Sequence, residues 1–253
     1  MRPKHVLIAG ATGGIGQAFA QRLVTSPDLT HLMLCAPHAS TCAPLLYLQQ
    51  QASARGTTVW LHDLDITDEC SLGKMVATLS STMPLLDLVI NASGLLHEAG
   101  LTPEKTATQV SAAAMHRIFA VNAFGPMLLA KALWPWLRAK RPIVFASLSA
   151  RVGSITDNRL GGWYSYRAAK AAQNQFLRSI AIELGRMNPH SIVLALHPGT
   201  TDTRLSRPFQ ANVAPEKLFS PEFVATQLLQ IMENAKVSDS GRFMAWDGQP
   251  IAW

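Results

Sequence analysis

Cysteine is scarce. Three occur in 253 residues, Cys35, Cys42 and Cys70, an odd number at spacings that match no zinc pattern and with no paired histidines beside them. Disulfide scaffolds and metal sites are therefore not expected, and reduced thiols are. Charge is sparse as well: 15% of residues are Asp, Glu, Lys or Arg against 48% hydrophobic, which excludes a disordered tail. Long apolar runs are missing too. The one from Met127 to Leu137 is broken by Lys131 and Pro135 and falls well short of the ~20 residues a bilayer crossing needs. No membrane partner is expected. Behind the basic start Met1-Arg2-Pro3-Lys4-His5 the apolar stretch is only Val6 to Ala9, too short for a signal-peptide core, which points to the cytoplasm. Lys and Arg outnumber Asp and Glu by 22 to 16, a net charge of +6, but they are scattered. The tight cluster Arg138-Ala139-Lys140-Arg141 stands where a helix should end, and cations are favoured there, so no nucleic-acid partner is expected.

What is present is an alternation. Lys4 to Ala9 is a short apolar run closed by Gly10, as a parallel strand buried on both faces requires. His31 to Cys35, Thr58 to His62, Leu86 to Asn91, Pro142 to Ser147 and Ser191 to His197 read the same way. Helical spacing fills Gln17 to Val24, Ser71 to Leu79, Ser111 to Leu137 and Ala168 to Met187. This rhythm specifies an α/β fold: a single-domain, Rossmann-like, doubly wound parallel sheet of about seven strands with helices on both faces. No linker or repeat divides residues 1–253, and the Thr200 to Pro221 segment reads as an insertion.

Directly after the first strand comes Gly10-Ala11-Thr12-Gly13-Gly14-Ile15-Gly16, leading into a helix. Glycines let the backbone turn tightly and let a phosphate reach the N–H groups at the positive end of the helix dipole. The turn lacks Gly-Lys-Ser/Thr, which argues against a P-loop nucleotidase. Tyr166-Arg167-Ala168-Ala169-Lys170 places a phenol and an ammonium four residues apart on one helix face. A nearby cation favours phenolate, so Tyr166 is the expected proton donor and Lys170 the group that tunes it.

Together with Asn91-Ala92-Ser93-Gly94 and Asn122, these motifs resemble, in order and over nearly the whole chain, the short-chain dehydrogenase/reductase family. Ser149-Ala150-Arg151-Val152-Gly153-Ser154-Ile155, Gly161-Gly162-Trp163-Tyr164-Ser165-Tyr166-Arg167 and the ending Gly241-Arg242-Phe243 look like its C-factor and sniffer-like carbonyl reductase branch. The resemblance implies a catalytic set of Tyr166, Lys170, Ser149 and Asn122. Asn122 would disrupt its helix locally and hold a water that connects Lys170 to solvent. For the serine that meets the substrate oxygen, counting back from Gly153 puts Ala150 at the usual position. Ser149 is favoured because Ala cannot donate, with Ser147 and Ser154 still open.

The cofactor-binding set implied in the same way is Gly10, Thr12, Gly14, Ile15, Gly16, His38, Asp65, Ile66, Asn91, Ala92, Gly94, Tyr166, Lys170, Pro198, Gly199, Thr200 and Thr203. Asp65 would accept from the adenine amino group, backbone near Pro198 and Gly199 would meet the nicotinamide amide, and Thr203 the pyrophosphate. No acid stands in Leu34-Cys35-Ala36-Pro37-His38, where one would bind a ribose 2′-hydroxyl, and with the net positive charge this favours NADP(H) over NAD(H). Residues 200–221 would form a lid, and Leu95, Trp163, Leu205 and Phe209 an apolar pocket beneath it. The expected protein is an NADP(H)-dependent carbonyl reductase or alcohol dehydrogenase acting on a small-molecule carbonyl or alcohol, and a homodimer or homotetramer. The alternative is a dinucleotide-binding regulatory or signalling protein of the C-factor type.

Overall fold

The structure is a computed structural model and describes residues 2–253. The chain runs through β1 (His5–Ala9), α1 (Gly14–Leu23), β2 (His31–Ala36), α2 (Ala43–Ser53), β3 (Thr58–Asp63), α3 (Glu69–Thr82) and β4 (Leu88–Asn91). Three helical pieces follow, α4 (Ala112–Phe119), α5 (Gly125–Ala132) and α6 (Trp134–Leu137), then β5 (Ile143–Leu148), α7 (Tyr164–Met187) and β6 (Ser191–His197). Short strands β7 (Thr200–Thr201) and β8 (Leu218–Phe219) bracket an irregular segment, and α8 (Pro221–Asn234) and β9 (Arg242–Ala245) complete the order.

Seven strands form one sheet in the order β3-β2-β1-β4-β5-β6-β9, with every neighbouring pair parallel. Strand order reverses between β1 and β4, which opens a crevice beyond their carboxyl ends, where open α/β sheets bind ligands. Alternation along β1 explains its unbroken apolar run. Val6 and Ile8 pack with Phe19 of α1 and Leu228 of α8 on one face, while Leu7 and Ala9 pack with Met75 of α3, Leu129 of α5 and Leu177 of α7 on the other. Each fully buried Leu contributes roughly 1.5–3 kcal/mol, so both helical layers are held by apolar burial.

The helices depart from expectation in three places. α7 begins at Tyr164, not Ala168, which puts Tyr166 inside its first turn. The single helix expected from Ser111 to Leu137 is three pieces, broken first where Ala120–Phe124 forms one π turn and again at Leu133, at φ −89° and ψ 7°. Gly125 N–H reaches back to Ala120 O, and Pro126 has no N–H with which to meet the carbonyl four residues earlier, that of Asn122. Helices α2 and α8 fill gaps whose bounds the sequence did not mark; α2 in particular carries no charge to mark its outer face, where Leu46 and Tyr47 are exposed.

Candidate active site

The first βα junction is a cradle that side chains would fill. Gly10 has φ +83°, and a Cβ there would lie 2.5 Å from Ser93 N and 2.6 Å from the carbonyl carbon of Ala92. A Cβ on Gly16 would lie 2.2 Å from Gly10 O, and one on Gly14 would meet the Thr203 methyl at 2.8 Å. The turn is tied to the next strand by Gly10 N–H and Ala11 N–H, both donating to Cys35 O at 2.8 and 3.1 Å. Helix α1 then starts with no side-chain cap at Gly13 and no acid in its first turn. Its leading N–H groups and the positive end of its dipole are left for an anion, so the turn fits a dinucleotide pyrophosphate.

The other residues expected around a dinucleotide gather on this edge. Thr12 accepts from Gln17 through its carbonyl, and Ile15 is partly buried against the core. Asn91 closes β4 by donating to Ser147 Oγ at 2.8 Å and accepting from Ser93 N–H. Ala92 borders Gly10, and Gly94 borders Asn122 and Leu205. After β6, Pro198 leads into Gly199 at φ +73°, where a Cβ would collide with the Phe219 ring, and Thr200 pairs with Leu218. At the outer edge His38 is exposed with φ 57°. Asp65 is also exposed and has one carboxylate oxygen in a turn with Thr67 N–H and Oγ, which lowers its pKa; Ile66 beside it is buried and packs on Gly125. The sequence reading missed Asp63 here. It aligns with Ala36 at the strand ends and accepts Ser40 N–H and Oγ at 2.8 and 2.7 Å, bonds that hold its carboxyl below the ordinary range.

Tyr166 and Lys170 meet as their spacing implies, with Lys170 Nζ 5.8 Å from the Tyr166 ring centroid. The phenol is 7% exposed, and no hydrogen bond among the described residues claims its hydroxyl. Electrostatically the expectation is corrected. Burial raises the Tyr166 pKa and pushes Lys170 down to about 7, so in the free chain desolvation outweighs the mutual effect of the pair. The ammonium donates to Leu148 O at 3.0 Å and Gln173 Oε1 at 2.8 Å. Gln173, fully buried, also donates to Ser147 Oγ, which links it to Asn91. Nothing in the sequence singled out Gln173.

Asn122 sits in the π turn and clamps the chain beyond β4. Its amide donates to Leu95 O at 2.7 Å and Ile118 O at 2.9 Å, and its oxygen accepts Leu95 N–H at 3.1 Å. The serines stand otherwise than expected. Ser149 is buried and donates to Asn174 Oδ1 at 2.7 Å, two helical turns past Tyr166 along α7, roughly 12 Å of helix axis. Asn174 Nδ2 has no partner there. Ser147 accepts from two amides, and Ser154 accepts from Asp157 N–H. Ala150 is partly buried against the apolar cluster that contains Tyr166. Gly153 fixes this register, since a Cβ on it would meet the Lys170 Cβ at 2.8 Å.

The start of α7 is built differently from that of α1. Gly161, Gly162 and Trp163 have φ of 65°, 65° and 50°, three left-handed residues in succession. For tryptophan this costs roughly 1–3 kcal/mol, and the surroundings impose it. Glu104, 5% exposed, accepts Trp163 N–H through its carbonyl and both Ser165 N–H and Ser165 Oγ through its carboxylate. That carboxylate satisfies an orphan donor and the dipole of α7.

A glycine cradle at the switch point, with a buried tyrosine and lysine on the helix that flanks β5, defines a dinucleotide-dependent oxidoreductase class of fold. The short chain dehydrogenase family matches residues 4–214, and the chain belongs to that family. It is 30% identical over 252 residues to 1-hydroxy-2-glutathionyl-2-methyl-3-butene dehydrogenase of Rhodococcus sp. (strain AD45), covering 98% of this chain and 99% of that one. It is 32% identical over 145 residues to the C-signal protein of Myxococcus xanthus, covering 57% of this chain and 81% of that protein. In structure it is similar to the NADPH-bound carbonyl reductase from chicken fatty liver, with a TM-score of 0.87 at 24% identity and 100% of both chains covered. No helix among the described residues is long and apolar enough to cross a membrane.

Proposed function

We propose that the protein is an NADP(H)-dependent carbonyl reductase or alcohol dehydrogenase with Tyr166 as its general acid and base. The observation that carries the reading is the unclaimed phenol of Tyr166, buried beside Lys170. Gly10, Thr12, Gly14, Ile15, Gly16 and Thr203 hold the pyrophosphate, and Asn91, Ala92, Gly94, Pro198, Gly199 and Thr200 the nicotinamide half. His38, Asp65 and Ile66 receive the adenosine half. The absence of an acid at the end of β2, the +6 charge and the NADPH-bound chicken reductase support the cofactor choice.

When bound, the dinucleotide supplies a hydride to the carbonyl carbon. Tyr166 gives its phenolic proton to the oxygen that gains the electron pair of the broken π bond. Lys170, with a pKa of about 7, passes a proton to the phenolate at neutral pH. Asn122 holds the chain beside this relay. Ser149 contributes only by leaving Asn174, so the oxygen is met mainly by Tyr166. Three free thiols suit the cytoplasm, and exposed Met115, Phe124, Ile182 and Met187 on α4, the π turn and α7 suit a homo-oligomer. Sedimentation of a monomer at micromolar concentration would remove that last element.

One observation favours a second reading, a dinucleotide-binding regulator: Ser149 is engaged by Asn174, and the position that the resemblance gives to the substrate-holding serine is Ala150. Fluorescence titration with NADPH and NADH, followed by a panel of aldehydes, ketones and quinones, separates the two. An enzyme oxidises NADPH with at least one carbonyl, and a regulator binds NADPH and oxidises it with none.

A further inference from the structure

Trp163 occupies a backbone conformation that glycine adopts freely and tryptophan resists, directly after two glycines already in that conformation. A third glycine would remove the strain, so the indole is kept against local preference. The turn is locked from both sides: Glu104 O takes Trp163 N–H, and Arg167 Nε donates to Gly161 O at 3.1 Å and Gly162 O at 3.0 Å. This lock delivers the ring to a particular place. It lies edge-on to Tyr166 at 6.2 Å and 75°, and edge-on to Phe209 at 4.9 Å and 62°. Phe209 in turn meets His97 at 5.8 Å and 67°, and His97 Nε2 is engaged by the carbonyls of Arg204 and Leu205 at 3.2 Å.

Four rings from three separate segments therefore form one wall that ends at the phenol. Trp163, Phe209, His97, Leu95 and Leu205 are all only partly buried, so the wall keeps free surface. None of its side chains is an acid, a lysine or an arginine. We infer that Trp163 is a specificity-determining residue and that the wall takes flat, apolar carbonyl compounds, aromatic aldehydes and ketones, in preference to small aliphatic ones. The inference rests on the proposed carbonyl reduction for its chemistry, but its binding selectivity can be read without turnover.

The test is calorimetric titration of the protein, with and without NADP+, with benzaldehyde and with propanal, alongside NADPH consumption with each. Wild type should bind benzaldehyde more tightly. Trp163→Gly, which relieves the backbone strain, should lower the benzaldehyde-to-propanal affinity ratio by about tenfold. Propanal binding should weaken by a much smaller factor. Phe209→Ala, in the irregular segment and outside the strained turn, should move the ratio the same way by a smaller factor. A ratio unchanged in both variants overturns the inference, as does equal loss for both carbonyls, which marks a structural role alone. Selective binding that these variants abolish, without NADPH consumption by wild type, upholds the wall and overturns the reductase reading instead.

Discussion

Helices α1 and α7 both begin at the carboxyl edge of the sheet, and their first turns are opposites. α1 starts on glycines, with neither a side-chain cap nor an acid, and its free N–H groups face the crevice. α7 starts on a strained tryptophan and is closed by the buried carboxylate of Glu104. The same dipole is left open at the proposed phosphate site and neutralised beside the proposed proton donor. A helix terminus is thus either a binding site or a mounting, and the residue that meets its N–H groups decides which.

The contrast is open to attack from both sides. Tyr166→Phe should cost the most, about 10²–10⁴ in kcat, while NADPH titration by fluorescence stays within about twofold of wild type. Comparable loss of binding would mean that the two helix starts are not separate in function. Gly16→Ala places a Cβ against Gly10 O and must shift the turn. Overpacking of this kind should destabilise by about 1–3 kcal/mol, read from urea denaturation, and should weaken NADPH binding while leaving the α7 side intact.

Glu104→Ala attacks the mounting. Ser165 loses its acceptor for two donors, one of them a backbone N–H, and about 1–3 kcal/mol of stability should go with it. Glu104→Gln, which keeps an acceptor oxygen, should lose less, and NADPH affinity should hold in both. Lys170 gives a pH-dependent effect of smaller size. Its folded-state pKa lies below its unfolded value, so the native state resists the proton and wild-type stability rises as pH climbs from about 7 to its ordinary range near 10.5. Lys170→Met should therefore raise the melting temperature most below pH 7, with the gain shrinking toward pH 10; a gain that grows with pH would contradict a buried ammonium. The smallest change is expected from Ala150→Ser, a severalfold rise in kcat with little change in cofactor affinity, if the added hydroxyl reaches the substrate oxygen.

Much of this was legible in the chain. The glycine turn follows from the ban on Cβ atoms at Gly10 and Gly16, and the Tyr166–Lys170 pairing follows from helical spacing, so both could be read locally. The partners of Ser147 and Ser149 could not. Gln173 and Asn174 lie on α7 far along the chain from the serines they meet, and only the packing of α7 on β5 brings them there. Glu104 was silent for the same reason, being sixty-one positions from the Ser165 it caps. The break in the long helix was half legible: Asn122 announced it, but the close approach of Gly125 to Ile66 beside the π turn arises only in the packed chain.

By itself the sequence determined the alternating strands and helices, the glycine turn and the face shared by Tyr166 and Lys170, because each of these rests on period, backbone sterics or neighbours a few residues apart. The tertiary structure alone decided which serine is spent on Asn174, how deeply Lys170 loses its water, and that Glu104 closes the start of α7 beside Trp163. Those outcomes depend on contacts and desolvation between distant segments, and such quantities exist only once the chain is packed.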